Sequence, residues 1–341
     1  MNLPPLPLQN GSLFIDNSLW VESIDSCWRL LQYRALFRRI PAGESMALSF
    51  GGCGHACLEH RYRKYQNAIV PDEYYQEISE IITKQYEAHP CPIEDWRTSN
   101  WLMQVLKNYN QRYELEDFEL LKAKETVSDG QGKVIFKEGD VLVEMPFVIP
   151  LYVHETPGEA SIPVFYIGKI DLVVKQDNML FVMDHKFISQ LGQSFFLRAK
   201  MLSQLKGYVW AFSMLTGKLV DGYIINAIRS KEPPLYIQGK SDSRSAKQDP
   251  AKWWGESFAR EKFYCTPNML DEWKNNVIDK MEMFFWNYAR GRFPMATAGL
   301  SCVAWGRCPF YDVCSLDLDD RPAMLSSGMF TTNEWSPLNK E

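Results

Sequence analysis

Apolar positions recur at helical spacing through the first third of the chain and then give way to strand-like runs. LFIDNS (13–18) reads as a short strand, with Asn17 or Ser18 placed to cap a helix through SIDSCWRLLQYRALFRRI that Pro41 and Gly43 close. The glycine-rich SFGGCG is taken as a turn, after which a second helix is predicted over HACLEHRYRKY. EYYQEISEIITKQYEAH and EDWRTSNWLMQVLKNYN carry helical spacing too. From about residue 119 the texture changes. ELLKAKETV, VLVEMPFVIPLYV, VFYIGKIDLVV and MLFVMDHKF predict strands in antiparallel hairpins, separated by DGQGK, TPGEA and QDN. A long amphipathic helix from Gln193 to about Leu215 follows, then a returning strand at LVDGYIINAI, a polar loop over 229–252 and a helix through MLDEWKNNVIDKMEMFFWNYARG. Trp253 and Trp254, just after the loop, read as packing residues, while Lys231, Lys240, Arg244 and Lys247 within it read as a surface excursion. No internal repeat is visible, and the stretch beyond Ser315 is too mixed to assign.

Composition narrows the class. With 341 residues, 46% hydrophobic and 23% charged, the chain can bury a substantial core as one large or two modest domains. No run of about eighteen apolar residues occurs, and MNLPPLPLQNG lacks the order of a signal peptide, so a cytoplasmic protein without a membrane span is expected. A formal charge of −5 gives no global pull toward nucleic acid. Arg29, Arg34, Arg38, Arg39, Arg61, Arg63 and Lys64 nevertheless crowd the N-terminal part, opposed by Glu44 and Glu59. Charge alone favours a solvated helical face over a phosphate track, and the track stays open. Of eight cysteines, Cys302, Cys308 and Cys314 recur at six-residue steps, while Cys27, Cys53, Cys57, Cys91 and Cys265 are scattered. In a reducing compartment such cysteines are core thiols or metal ligands. No phosphate-cradling GxxxxGK[ST] is present, which excludes a recognisable ATP motor.

The densest chemistry lies in FVMDHKF. Side chains alternate on a strand, so Asp184 and Lys186 share one face and His185 takes the other. A two-residue turn at Asp177-Asn178 pairs Gln176 with Met179, and counting back sets Asp171 opposite Asp184 and Lys169 opposite Lys186. Two carboxylates about 5 Å apart on a buried face repel unless a cation lies between them, and hard oxygen ligands suit Mg²⁺ or Mn²⁺. The pattern taken alone also fits a hairpin end with a surface Asp/Lys pair, and a one-residue slip would separate the acids. Downstream, Gln204 and Tyr208 fall at i, i+4 on a stripe with Leu197, Met201, Phe212 and Leu215, where a glutamine calls for a hydrogen-bonding partner. His55 opens the helix after the glycine-rich stretch, with Glu59 one turn on; it is a capping or core residue, or an imidazole ligand beside the acids.

Taken in order, FGGCGH, VFYIGKID, FVMDHK and QLKGY resemble the RecB-type nuclease branch of the PD-(D/E)XK superfamily. The resemblance implies an α/β (α+β) restriction-endonuclease-like core, a mixed central sheet flanked by helices, over residues 119–298. Before it would come an arm over 1–20 and a helical part over 21–118. After it would come a cysteine segment over 299–315, packed back on Cys27, and a tail over 316–341. It implies that His55, Asp171 and Asp184 bind the catalytic metal with the backbone carbonyl of His185, that Lys186 serves the attacking water, and that Gln204 and Tyr208 form the helical Q-x-x-x-Y motif. Glu144 matches an additional acid that can hold a second metal.

DNSLWVESIDSCWRLLQYR is similar to the start of iron-sulfur members of this branch, among them CRISPR-associated single-strand exonucleases, AddB-type subunits and stand-alone phage nucleases. That likeness implies a 4Fe-4S cluster on Cys27, Cys302, Cys308 and Cys314. Relatives commonly have Cys-Pro where this chain has Cys27-Trp28, and a tighter first spacing among the late cysteines. Structural Zn²⁺ is the chemical alternative, although the CxxC pairs of a zinc ribbon are missing. Cys53, Cys57, Cys91 and Cys265 are expected as core thiols. The implied function is a divalent-metal-dependent DNA exonuclease on single strands or ends. A catalytically silent DNA-binding or assembly subunit is the alternative, and RNA as substrate is a third possibility. Partners in recombination, phage DNA processing or CRISPR adaptation all stay open.

Overall fold

The computed structural model describes residues 3–43, 45–128, 134–158, 160–231, 250–296, 300–303 and 307–332. Strand β1 (Leu13–Ile15) leads into helical turns over Asn17–Val21, α1 (Glu22–Ser26), α2 (Trp28–Leu31) and Gln32–Leu36. Asp16, rather than Asn17 or Ser18, caps the first turn: its carboxylate accepts from the Leu19 N–H at 2.6 Å. The single helix expected over 23–40 is broken at Cys27, whose backbone is extended at φ −169° and ψ 122°. It ends at Arg38, and β2 (Arg39–Pro41) follows.

The helical layer consists of α3 (Met46–His60), α4 (Asp72–Ala88) and α5 (Ser99–Arg112). Here the glycine-rich stretch departs from expectation, because it lies inside α3. Gly54 explains why a helix carries it: a Cβ there would sit 2.2 Å from Cζ of Phe187, so only a glycine lets α3 press against the strand beneath.

The short strands β3 (Glu119–Leu120), β4 (Val127–Ser128) and β5 (Val134–Phe136) precede the long β6 (Val143–His154), β7 (Ile162–Gln176) and β8 (Met179–Ile188). Asp177 and Asn178, at φ 54° and 63°, form the tight turn, and Gln176 pairs with Met179 as counted. The helix predicted over 193–215 is two, α6 (Gln193–Ala199) and α7 (Ser203–Thr216). The break leaves Leu197, Met201 and Leu215 exposed at 63%, 74% and 49%, so the expected apolar stripe does not exist as one face.

After β9 (Gly222–Arg229) come α8 (Pro250–Gly255), β10 (Phe258–Tyr264) and α9 (Pro267–Ala289). β10 escaped the sequence reading, because FAREKFY alternates weakly and carries three charges. Trp254 stacks on Trp101 and Phe258, and Trp253 is buried, so both tryptophans pack as expected. Lys240, Arg244 and Lys247 of the polar loop lie outside the described residues, as does Glu44. The chain closes with α10 (Leu300–Val303), α11 (Tyr311–Ser315), α12 (Arg321–Leu325) and β11 (Phe330–Thr332). β11 pairs with β2 and so ties the C-terminal segment to the N-terminal helices.

Among the described residues, seven strands form one mixed sheet in the order β1-β7-β8-β9-β10, with β3 and β6 on the other side of β7. The expected antiparallel hairpins form between β6 and β7 and between β7 and β8, and the sheet is mixed, as the resemblance implied, because β8 runs parallel to β9 and β1 parallel to β7. One core, with Tyr166, Val182, Leu205 and Phe284, lies between the sheet and α7 and α9. The second, with Tyr62, Ile78, Leu106 and Met183, lies under α3 to α5. This is a central mixed sheet flanked by helices, the restriction-endonuclease-like arrangement.

Candidate active site

The site grows from a fork in the sheet. β7 and β8 stay paired through Leu172↔Met183 and then separate, while β8 continues along β9 to Ile188. β1 takes its place beside β7 at Val164 to Tyr166. Asp171 and Asp184 stand where the ladder ends, so each carboxylate enters a gap that backbone would otherwise fill. Asp171 Oδ2 accepts the His185 N–H there at 2.8 Å. The alternation of β7 also breaks at this point, since Ile170 belongs to the first core and Leu172 to the second.

On the other side of β7, Glu144 lies between the pairs Val143↔Leu172 and Met145↔Ile170. Its φ of 51° is left-handed, a conformation costly for a side chain with a Cβ. α3, seated through Gly54, delivers His55 from above: Nδ1 is 3.2 Å from Asp171 Oδ2 and 4.0 Å from Glu144 Oε1. Among the described residues, His55, Glu144 and Asp171 form the group whose ligand atoms all lie within 4.8 Å of one another. Asp184 stands beside this group rather than in it. Lys169, counted opposite Lys186, instead reaches Glu144 at 3.3 Å, because the fork has separated the two lysines.

Lys186 Nζ is 3.1 Å from Asp184 Oδ1 and 2.9 Å from Gln204 Oε1. Gln204 Nε2 then donates to the Tyr208 hydroxyl oxygen at 2.9 Å, which fixes the amide's orientation. Asp184 Oδ2, 3.0 Å from Nζ, lacks hydrogen-bond geometry to it and is an acceptor left over in a buried site.

The charges are strongly coupled. Burial would lower the His55 pKa, but Asp171, with Glu144 and Asp184 behind it, outweighs burial and holds it at about 9. Burial would raise Asp171, and the His55 charge and hydrogen bond overcome that and lower it. Asp184 is pushed up to about 6, by burial first, against the pull of Lys186 and with Asp171 adding to the rise. Glu144 is raised to about 7 by burial and by Asp171, with His55 and Lys169 opposing. A cluster of acids that resists ionising together is what a cation would relieve.

Family comparison agrees with this geometry. The family model described as the PD-(D/E)XK nuclease superfamily matches residues 21–315. The chain belongs to the PD-(D/E)XK nuclease superfamily. The family acts on nucleic-acid phosphodiester bonds with divalent metals, and the His55, Glu144 and Asp171 group of this member is chemically able to hold one. No curated protein matches the chain.

Behind the site this nuclease carries a polar network that the sequence reading missed. The His185 ring stacks on Tyr62 at 5.7 Å with planes 3° apart, and its Nδ1 is 2.7 Å from Asn226 Nδ2. Asn226 donates to the Tyr109 hydroxyl at 2.8 Å, and Arg260 donates to Asn226 Oδ1 and to the same hydroxyl. Glu116, with a fully buried side chain, holds both Arg260 and Arg61. The signal was available: Asn226 interrupts the apolar run GYIINAI, and a buried asparagine demands partners. Glu22, also overlooked, lies close enough to Lys186 to influence its charge.

Four of the basic residues near the N-terminus have partners within the chain. Arg61 is 1% exposed and bonds Tyr113 O at 2.8 Å, Arg34 bonds Ser18 O and Ser23, Arg63 bonds Glu59 and Val143 O, and Lys64 pairs with Glu77.

Cys27, Cys302, Cys308 and Cys314 line one small enclosed cavity with Tyr33 and Phe310. The break at Cys27 points its thiol there, and the Ala296 N–H donates to Cys27 Sγ at 3.3 Å. Burial raises the Cys308 and Cys314 thiols. Cys53, Cys57 and Cys265 are buried, while Cys91 is half-buried in the connection after α4 rather than in the core.

Proposed function

We propose that this nuclease hydrolyses DNA as an exonuclease on single strands or ends, and that a structural 4Fe-4S cluster braces its C-terminal segment. The fork at Leu172↔Met183 carries the reading, because it sets Asp171, Asp184 and Lys186 in one gap with His55 above them. His55, Asp171 and Asp184 would hold the catalytic cation with the His185 carbonyl, and Glu144 a second ion. Mg²⁺ or Mn²⁺ suits this oxygen-rich set and, when bound, offsets charge on the scissile phosphate and makes water more acidic.

The chain's own contribution centres on Lys186. Burial opposes its charge, yet Asp184 and Asp171 outweigh burial and raise its pKa, so Nζ stays protonated. Two of its three N–H bonds go to Asp184 and Gln204. The third remains to orient a water or neutralise a phosphate oxygen. Tyr208 holds Gln204 and thereby the lysine's direction.

For the cysteines, the four thiols that line one cavity match the usual complement of a 4Fe-4S cluster, and the CxxC pairs of a zinc ribbon are missing.

The deciding experiment incubates purified protein with Mn²⁺ and single-stranded, blunt-ended and circular DNA. Wild type should release nucleotides from ends and leave covalently closed circles intact, while Lys186→Ala and Asp184→Ala fold but do not cut. Binding without products would instead make the chain a silent subunit.

A further inference from the structure

The C-terminal end of α9 carries an acid-free cationic depression lined by Arg29, Trp286, Arg290, Arg292, Phe293 and neighbouring backbone. Trp286 is 61% exposed, unusual for the largest apolar side chain. The Arg290 guanidinium carbon lies 4.1 Å from the Trp286 ring centroid. Gly291, at φ 63°, reverses the chain so that the Arg292 N–H bonds Asn287 O at 2.9 Å, which returns Arg292 to the same face. Arg29 arrives from α2, where its side chain also lies against the Cys314 thiol. Among the described residues no carboxylate pairs with Arg29, Arg290 or Arg292, in a chain whose formal charge is −5. One arginine at a helix C-terminus is explained by the dipole. Three around an exposed indole are not.

We infer that this depression is a binding subsite for single-stranded nucleic acid, with Arg290 and Arg292 on successive phosphates and Trp286 stacked on a base. The inference rests on the nuclease reading for its choice of polyanion. A stacking platform needs an unpaired base, because in a duplex both base faces are already covered. The subsite therefore discriminates single strands from duplex. It shares a wall with the cysteine cavity: Cys27 and Met295 line the cavity, and Arg29 and Pro294 line the depression.

The test measures binding of fluorescein-labelled oligodeoxythymidine to the full chain by anisotropy in EDTA, so that cleavage plays no part. Trp286→Ala should weaken binding by about tenfold, as stacking on one base contributes. Arg290→Ala and Arg292→Ala should each reduce the log–log salt slope by about 0.7, the loss of one phosphate contact. Bromodeoxyuridine photocrosslinking should mark the peptide containing Trp286. All three positions are solvent-facing, and unchanged circular dichroism would establish that the variants fold. Unchanged affinity and crosslinking would overturn the inference and leave the face to a protein partner or to solvent. An equal loss for blunt duplex would overturn base stacking. If Lys186→Ala still cuts while these losses persist, the catalytic reading fails and the subsite stands.

Discussion

Gln204 Oε1 accepts a hydrogen bond from Lys186 Nζ at 2.9 Å, joining the N-terminal turn of α7 to the end of β8. Gln204 acts on chemistry through the direction it gives the lysine. Gln204→Leu is therefore expected to lower kcat by about tenfold or more with little change in KM, while Lys186→Ala costs about 10²–10⁴. Steady-state cleavage kinetics separate the two. A Gln204→Leu effect confined to KM would reassign the glutamine to DNA binding.

Metal affinity should depend on pH with a definite sign. Ligands bind deprotonated, and the metal-free site holds His55 near 9, Glu144 near 7 and Asp184 near 6. Mn²⁺ binding accordingly releases protons at pH 7, and affinity rises with pH until it levels above 9. Calorimetry in buffers of different ionisation enthalpy reads the proton count. In metal-free protein the raised His55 pKa stabilises the fold fully below about 6.5, and that contribution is lost as pH rises through 9.

Gly54 and Phe187 define how closely α3 sits on β8. Gly54→Val should destabilise the protein by about 1–3 kcal/mol and lift His55 away from Asp171. Phe187→Ala in the same chain should recover part of the lost metal affinity. Denaturant unfolding and Mn²⁺ titration of the single and double variants provide the check, and strict additivity would argue against this contact.

Glu116 neutralises Arg61 and Arg260 in a buried environment. Glu116→Ala leaves two cations without their shared partner and is expected to cost about 3–5 kcal/mol in urea unfolding, with Glu116→Gln costing less. A loss below about 1 kcal/mol would mean that water reaches the arginines.

Anaerobic purification should yield a brown protein with iron and inorganic sulfide, and Cys308→Ser should reduce both. A colourless protein containing one Zn²⁺ would exclude the cluster.

By itself the sequence determined what local chemistry encodes. Asp177 and Asn178 tolerate positive φ, so the turn and its register were countable, and with them the opposition of Asp171 and Asp184. The periodicities of α4, α5 and α9 and the i, i+4 relation of Gln204 and Tyr208 are equally local. Tertiary structure decided everything that depends on a distant surface. Glycines that suggest a turn became helix because Phe187 occupies the space of a Cβ. β10 and β11 formed because β9 and β2 offered unpaired edges, which a weakly alternating segment cannot announce. Arg61 and Arg34 became internal partners, and an unremarked Trp286 with two arginines was left in solvent. Packing assigns each charge to a partner or to water, and no residue's own propensity contains that choice.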